Sequence, residues 1–230
     1  MYSKAFSILS ILCLSALIAC NGQKGKTKVD LNSKSDSVAY AIGASIGGSM
    51  KKDGLDSLNL DILKQGLNAA LHGDSVMIDP MQSQMVIQAY LQDKQKSKGE
   101  ANLAIGKKFL AENKSKPGVV ELPDGLQYQV IKEGTGAMPA LTDTVTVNYV
   151  GSLIDGTEFD GSKDHGGPQP WPVSGYIKGW SEALQMMKVG SKWKLFVPAA
   201  LAYGERGNGP KIQPNSTLVF ELELLAIKGK

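Results

Sequence analysis

The sequence predicts an α+β protein: a helical first half, then an antiparallel β-sheet wrapped around one short helix. Three observations carry this. From about residue 35 to 115, apolar residues recur at the i, i+3, i+4 spacing of helices. After Pro117-Gly118 the period changes to that of strands. One helical segment, about Lys178 to Met187, then interrupts the strands and puts Trp180, Leu184 and Met187 on one face. The 230 residues are 42% hydrophobic and 20% charged, enough apolar content for one large or two modest folded domains.

Residues 1–19 stand apart from that plan. Lys4 gives a basic start and Ala5 to Ala19 is almost wholly apolar. The run is shorter than the ~20 residues a transmembrane helix needs, but it suits a secretory signal. Leu17-Ile18-Ala19-Cys20 resembles a bacterial lipobox. That resemblance implies cleavage before Cys20, lipid attachment to its thiol, and anchoring at a bacterial membrane in the cell envelope, periplasmic or surface-exposed. Read as a short buried helix instead, the run would need a partner, and the polar, Lys-rich stretch after it offers none. Residues 20–34 read as a polar linker. With Cys13 lost in the signal and Cys20 lipidated, the mature chain has no thiol for a disulfide, a metal or redox chemistry. The formal charge is a mild +3 and Arg206 is the sole arginine, which points away from nucleic acid, since bidentate phosphate and guanine recognition leans on arginine.

Residues 35–116 read as helices. The first, Ser37 to Met50, sets Val38, Ala41, Ile42 and Ile46 on one face, and Gly43, Ala44, Gly47 and Gly48 keep it slim enough for another backbone to approach. The second runs from Leu60 to Leu71 with Asn59 as cap and Gly73 as stop. The third starts at Asp79-Pro80-Met81-Gln82, which has a capping residue, a first-turn proline and a capping-box glutamine in place. No breaker stronger than glycine follows until Pro117, so this helix spans about 35 residues, or roughly 50 Å. Its segment Gln92 to Glu100 is polar all round, the mark of a helix bridging two bodies through solvent. Gly99 and Gly106 are expected to bend or break it. The module before the bridge is near the size at which one core is marginal, so self-association is expected, with an intramolecular hairpin as the alternative.

Residues 117–230 form the second domain. Strands are expected at Leu126 to Lys132, Thr144 to Ser152, Lys192 to Pro198 and Thr217 to Ile227. Five short motifs lie along them: Val147-Asn148-Tyr149-Val150-Gly151, Asp155-Gly156-Thr157-Glu158-Phe159-Asp160-Gly161-Ser162, Ile177-Lys178-Gly179-Trp180-Ser181-Glu182-Ala183-Leu184, Ala202-Tyr203-Gly204 and Leu218-Val219-Phe220-Glu221-Leu222-Glu223-Leu224-Leu225. In that order and spacing they resemble the FKBP family of peptidyl-prolyl cis-trans isomerases. The helical half, with Tyr40-Ala41-Ile42-Gly43 and Phe109-Leu110-Ala111-Glu112-Asn113, resembles the N-terminal dimerisation region of the macrophage infectivity potentiator subfamily, though more loosely. The resemblance implies a homodimer whose long connecting helices carry the catalytic domains apart.

It also implies a chemistry. Rotation about an X–Pro bond takes ~10–100 s uncatalysed, and reaching milliseconds means removing roughly 6 kcal/mol from the barrier. No covalent step is required. The planar amide is the more polar state and water solvates it well, so a dry apolar cavity favours the twisted transition state. By position within the motifs, Trp180 would be the floor under the proline ring, and Tyr149, Phe159, Trp171, Ile177 and Phe220 the walls. Tyr203 would donate its hydroxyl to a substrate carbonyl and the Ile177 amide would donate from the other side. Asp160 would be the half-buried carboxylate lending polarity near the bond, with Ile212 and Tyr176 completing the contact surface. Taken singly, each ring reads more readily as core and Asp160 as a turn residue. The motifs together reverse that reading.

Several positions depart from the family pattern. Gln169 and Pro170 stand where a further aromatic is usual, Trp171 replaces the commoner phenylalanine, and Tyr176 is bulkier than the usual aliphatic. These bear on substrate preference and on affinity for macrolide inhibitors. His72 and His165 are far apart in sequence and read as surface residues, so neither a metal site nor a Ser/His/Asp triad is expected. Gly204 to Gly209 lacks the ending of a phosphate loop and reads as a rim. No cofactor is called for. The expected substrates are proline-containing unfolded or exported polypeptides. The alternative is an envelope chaperone with a vestigial pocket.

Overall fold

The computed structural model describes residues 30–229. The signal segment, Cys13 and Cys20 therefore lie outside the described residues. The chain forms two bodies, one ending at Lys52 and the other spanning Asp53–Lys230.

The first body contributes helix α1 (Lys34–Lys52), none of whose residues is buried. Val38, Tyr40, Ile42 and Ile46 are exposed, and a Cβ added at Gly43, Gly47 or Gly48 would meet nothing within 4 Å. Among the described residues this slim apolar face lies open.

The second body begins with α2 (Leu60–His72) and α3 (Pro80–Asn113). Their ends follow the capping chemistry of the sequence. Asn59 accepts hydrogen bonds from the Asp61 and Ile62 amides, and Gly73, at φ 71°, closes α2 in the left-handed conformation. Asp79 accepts from the Met81 and Gln82 amides, both at 2.9 Å, with Pro80 in the first turn of α3.

The expected break in α3 does not occur. The helix is continuous for 34 residues, and both glycines are buried where it lies against the chain segment 214–217. A Cβ at Gly99 would come within 3.2 Å of Pro214 and Asn215, and one at Gly106 would collide with the Thr217 hydroxyl. The missing side chains are what let the helix approach. Between them, Asn102 donates to the Pro214 carbonyl at 2.8 Å. The solvated bridge is thus confined to 92–98, and from Gly99 onward α3 is docked. Its last turn is clamped by a buried polar knot: Asn113 donates to Gln127, which in turn donates to the Leu110 carbonyl and to Glu121. Satisfied buried amides of this kind fix a geometry that apolar packing alone leaves loose.

The rest is a seven-stranded antiparallel sheet: β1 (Val119–Glu121), β2 (Gln127–Lys132), β3 (Thr144–Leu153), β4 (Glu158–Gly161), β5 (Pro170–Pro172), β6 (Lys192–Val197) and β7 (Leu218–Ile227). The spatial order is β1-β2-β6-β7-β3-β4, with β5 also paired to β3. The four long strands are the ones the alternation predicts. The three short ones carry too few residues for a period to show. Register shifts at Thr146/Val147 and Gly151/Ser152 bend β3, so the sheet wraps rather than lying flat. It wraps α4 (Lys178–Met186), whose Trp180, Ala183 and Leu184 are buried against Leu195, Leu222, Leu224 and Val145. On β7 the alternate residues Leu218, Phe220, Leu222 and Leu224 face this core. Phe196 and Val219 face the other way, where Phe109 of α3 lies 6.0 Å from the Phe196 ring.

Candidate active site

Four elements meet at the mouth of the wrapped sheet. β3 brings Tyr149, β4 brings Phe159 and Asp160, β7 brings Phe220, and the turn into α4 brings Tyr176, Ile177 and Trp180. With Tyr203 from the loop after β6 and the open edge of Gly175, they line a cavity of about 230 Å³. The rings stand edge to face. Trp180 meets Tyr149 at 5.0 Å and 79°, and Phe220 at 5.0 Å and 84°, while Phe159 meets Phe220 at 5.7 Å and 88°. Tyr176 leans on Trp180 at 5.0 Å and 41°. Edge contacts hold the rings without closing the space between them. The hollow is several times the ≈ 30 Å³ share of one liquid water, which leaves room for a single small side chain.

The polar groups are few and placed at the rim. The Tyr149 hydroxyl donates to Asp160 Oδ2 at 2.7 Å, and His165 Nε2 lies 2.8 Å from Asp160 Oδ1. Partial burial opposes ionisation of Asp160, but the bonds from Tyr149 and His165 and the Gly161 amide outweigh it and hold the carboxyl below its usual range. Burial first, then donation to Asp160, pushes the Tyr149 phenol well above its ordinary value, so it remains a donor. Burial pushes Tyr176 up to about 12. The Tyr203 hydroxyl makes no hydrogen bond among the described residues, the Ile177 amide serves no turn or cap, and the buried Trp180 indole nitrogen has no acceptor.

A second hollow of about 270 Å³ shares Phe159, Asp160 and Tyr203 with the first and continues to Asn208 and Ile212. Lys211 Nζ crosses its edge to the Phe159 carbonyl at 2.9 Å. Ile212 is therefore brought to the site through this side chamber and not through the cup itself. Trp171 is not brought to either. It sits on β5 opposite Val145, half exposed, with its indole pressed against Gly175, so it backs the rim of the cup from outside. The reason lies in the pairing of β5 with the edge of β3, which holds the ring behind Gly175.

Reading the sequence missed His165. It is on the surface, as expected, but on the carboxylate that faces the cup. The signal was available in the short spacing from Asp160 at the end of a strand to a turn closed by Gly166-Gly167, and only the fold shows that this turn curls back. Larger hollows of about 590 and 460 Å³ flank the docked part of α3 and share no residue with the cup. The larger of them lies on the sheet face opposite the core, lined by Phe109, Phe196 and Val219. Among the described residues, no group of three or more His, Cys, Asp or Glu could hold a metal ion.

A wrapped antiparallel sheet over one helix, with an aromatic cup at its mouth, defines the class of protein. Residues 136–225 match the family described as FKBP-type peptidyl-prolyl cis-trans isomerase, and residues 35–130 match the domain amino terminal to it. The chain is 44% identical over 205 residues to "Outer membrane protein MIP" of Legionella longbeachae, covering 86% of this chain and 88% of that one. It is 46% identical over 192 residues to an FKBP-type 22 kDa peptidyl-prolyl cis-trans isomerase of Escherichia coli, covering 82% and 93%. The crystal structure of FkpA from Escherichia coli superposes with a TM-score of 0.68 at 38% identity, over 86% of this chain and 98% of that one. The chain belongs to the FKBP-type peptidyl-prolyl cis-trans isomerases, and it accelerates rotation about X–Pro bonds in polypeptides.

Proposed function

We propose that the 230 Å³ cup is where the rotation occurs, with the roles assigned as the geometry allows. Proline enters over the Trp180 face between Tyr149, Phe159 and Phe220, where the scarcity of polar partners disfavours the planar amide. The Ile177 amide and the Tyr203 hydroxyl are donors without acceptors at opposite sides of the cup, placed to take two substrate carbonyls and hold the twist. Asp160, fixed by two donors, supplies negative charge beside the bond without exchanging a proton. The side chamber ending at Ile212 takes a neighbouring residue of the substrate or the body of a macrolide. The observation that carries this reading is the coincidence of unused donors with a ring-lined hollow. It is tested by exchange NMR of an X–Pro peptide: Asp160→Ala is expected to lower kcat/KM about tenfold and Tyr203→Phe about twofold to fivefold, the value of one hydrogen bond. Full activity in both variants would move the site elsewhere.

The substrates in this reading are exported polypeptides, met in the cell envelope where Cys20 anchors the chain by lipid. The sequence run up to Cys20 and the printed name of the outer membrane relative support it. Among the described residues no helix is long and apolar enough to cross a membrane. The working form is a homodimer. The residues 20–34, 35–116 and 117–230 then act as linker, pairing region with its connecting helix, and isomerase domain. The exposed apolar face of α1 in the first body and the exposed Leu60, Ile62, Leu63, Leu67, Met81 and Met85 on α2 and α3 in the second add up to more apolar surface than a small helical module leaves open in water. Light scattering is expected to give a dimer for residues 20–230 and a monomer for 117–230. Two monomers would overturn the pairing.

A further inference from the structure

We infer that His165 is a positioning residue for the isomerase site, holding the Asp160 carboxylate and making turnover depend on the charge of its imidazole. The inference rests on the role given to Asp160 above. Each carboxylate oxygen has one side-chain donor, and the two donors differ in kind. Tyr149 is anchored, its ring against Trp180 and its amide bonded to the buried Ser162 hydroxyl at 3.0 Å. Its phenol stays protonated at any working pH. His165 is 57% exposed at its side chain, and an imidazole can stand there either neutral or as a cation.

The turn that carries it is well fixed. Ser162–His165 is a single 3₁₀ turn whose first residue is buried and whose carbonyl accepts the Gly166 and Gly167 amides. The backbone of this turn therefore sets His165 beside Asp160, and the imidazole completes the approach to Oδ1. As imidazolium it donates a charge-assisted bond and neutralises the rim. As neutral imidazole it leaves a bare negative charge at the mouth of an apolar cup and a weaker hold on the carboxylate.

The other charged and titratable groups around the carboxylate are occupied or of other types. Lys163 is paired with Glu158 at 2.7 Å, Lys211 lies on the Phe159 carbonyl, Asp164 shares the turn, and Tyr149, Tyr176 and Tyr203 are the phenols of the cup. Lysines, tyrosines and carboxylates ordinarily titrate outside the pH 5–8 window. One group departs from that rule. Burial, then a shared hydrogen bond with Asp124, pushes Glu182 of α4 up to about 7, and it is not among the residues lining the cup. A wild-type pH profile alone would mix the two, so the histidine has to be varied.

The test measures kcat/KM on an X–Pro peptide with a neutral residue before proline, from about pH 5.5 to 8.5, for the mature chain, His165→Arg and His165→Ala. The wild type is expected to fall about twofold to fivefold from acid to alkaline pH, the range an exposed ion pair supports. H165R, with a fixed charge, holds the acid value throughout, H165A stays at the alkaline value, and any Glu182 step cancels in the ratio of wild type to variant. A ratio of wild type to H165R that is constant across pH would overturn the inference. If Asp160→Ala keeps full activity, the site reading fails with it. If Asp160→Ala loses activity while the ratio stays flat, the histidine alone is wrong.

Discussion

Replacing Phe220 by alanine is expected to destabilise the second body by about 3–5 kcal/mol, the cost of emptying a buried aromatic position. It is also expected to lower kcat/KM more than tenfold. Phe220 is 4% exposed and belongs both to the core and to the cup, with one edge contact to Trp180 and another to Phe159. Removing it merges the core and the hollow, admits water into the cup and leaves two rings without a stop. Urea unfolding measures the first effect and exchange NMR the second, per folded molecule. Leu224→Ala is the control. It lies on the same strand, fully buried and away from the cup, so it should cost about 2–5 kcal/mol and leave kcat/KM close to wild type. If both variants lost activity alike, the cup would be packing and nothing more.

That double membership explains which parts of the site were legible in the sequence. Tyr149, Trp180 and Phe220 sit in long strand and helix motifs whose period fixes which way they face, Phe159 sits in a four-residue strand, and the meeting of all four in one cup was implied by the resemblance of the motifs taken together. Trp171 and Ile212 sit in short or irregular segments. Their positions depend on which edge a three-residue strand joins and on how a glycine-rich loop folds, and no period records either. His165 is invisible for the same reason: a single turn aims it. The helical half shows the opposite failure. Capping residues placed both ends of α2 and the start of α3 correctly, but propensity read Gly99 and Gly106 as weak points when they are contact points. A helix propensity scale registers the entropy a glycine costs and not the approach it allows, and Pro214 and Thr217 are more than a hundred residues further along.

The same logic predicts the other large effect. Gly151, buried on β3 two residues after Tyr149, pairs with Phe220 on one side and Asp160 on the other. A Cβ there would come within 2.7 Å of Phe159 Cε2, 2.8 Å of Phe159 Cζ and 2.9 Å of Phe220 Cε1. The glycine is required by those two rings, since one methyl group would drive both of them into the cup. Gly151→Ala is expected to cost about 1–3 kcal/mol by overpacking and to reduce kcat/KM more than tenfold. Because the cause is a clash with a named ring, relief should come from that ring. Adding Phe159→Leu to Gly151→Ala is expected to restore part of the lost stability, giving a coupling energy of about 0.5–3 kcal/mol in a double-mutant cycle, although Phe159→Leu alone weakens the site. Strict additivity of the two changes would show that Gly151 serves the bend of β3 instead, and that the rings hold their edge-to-face arrangement without it.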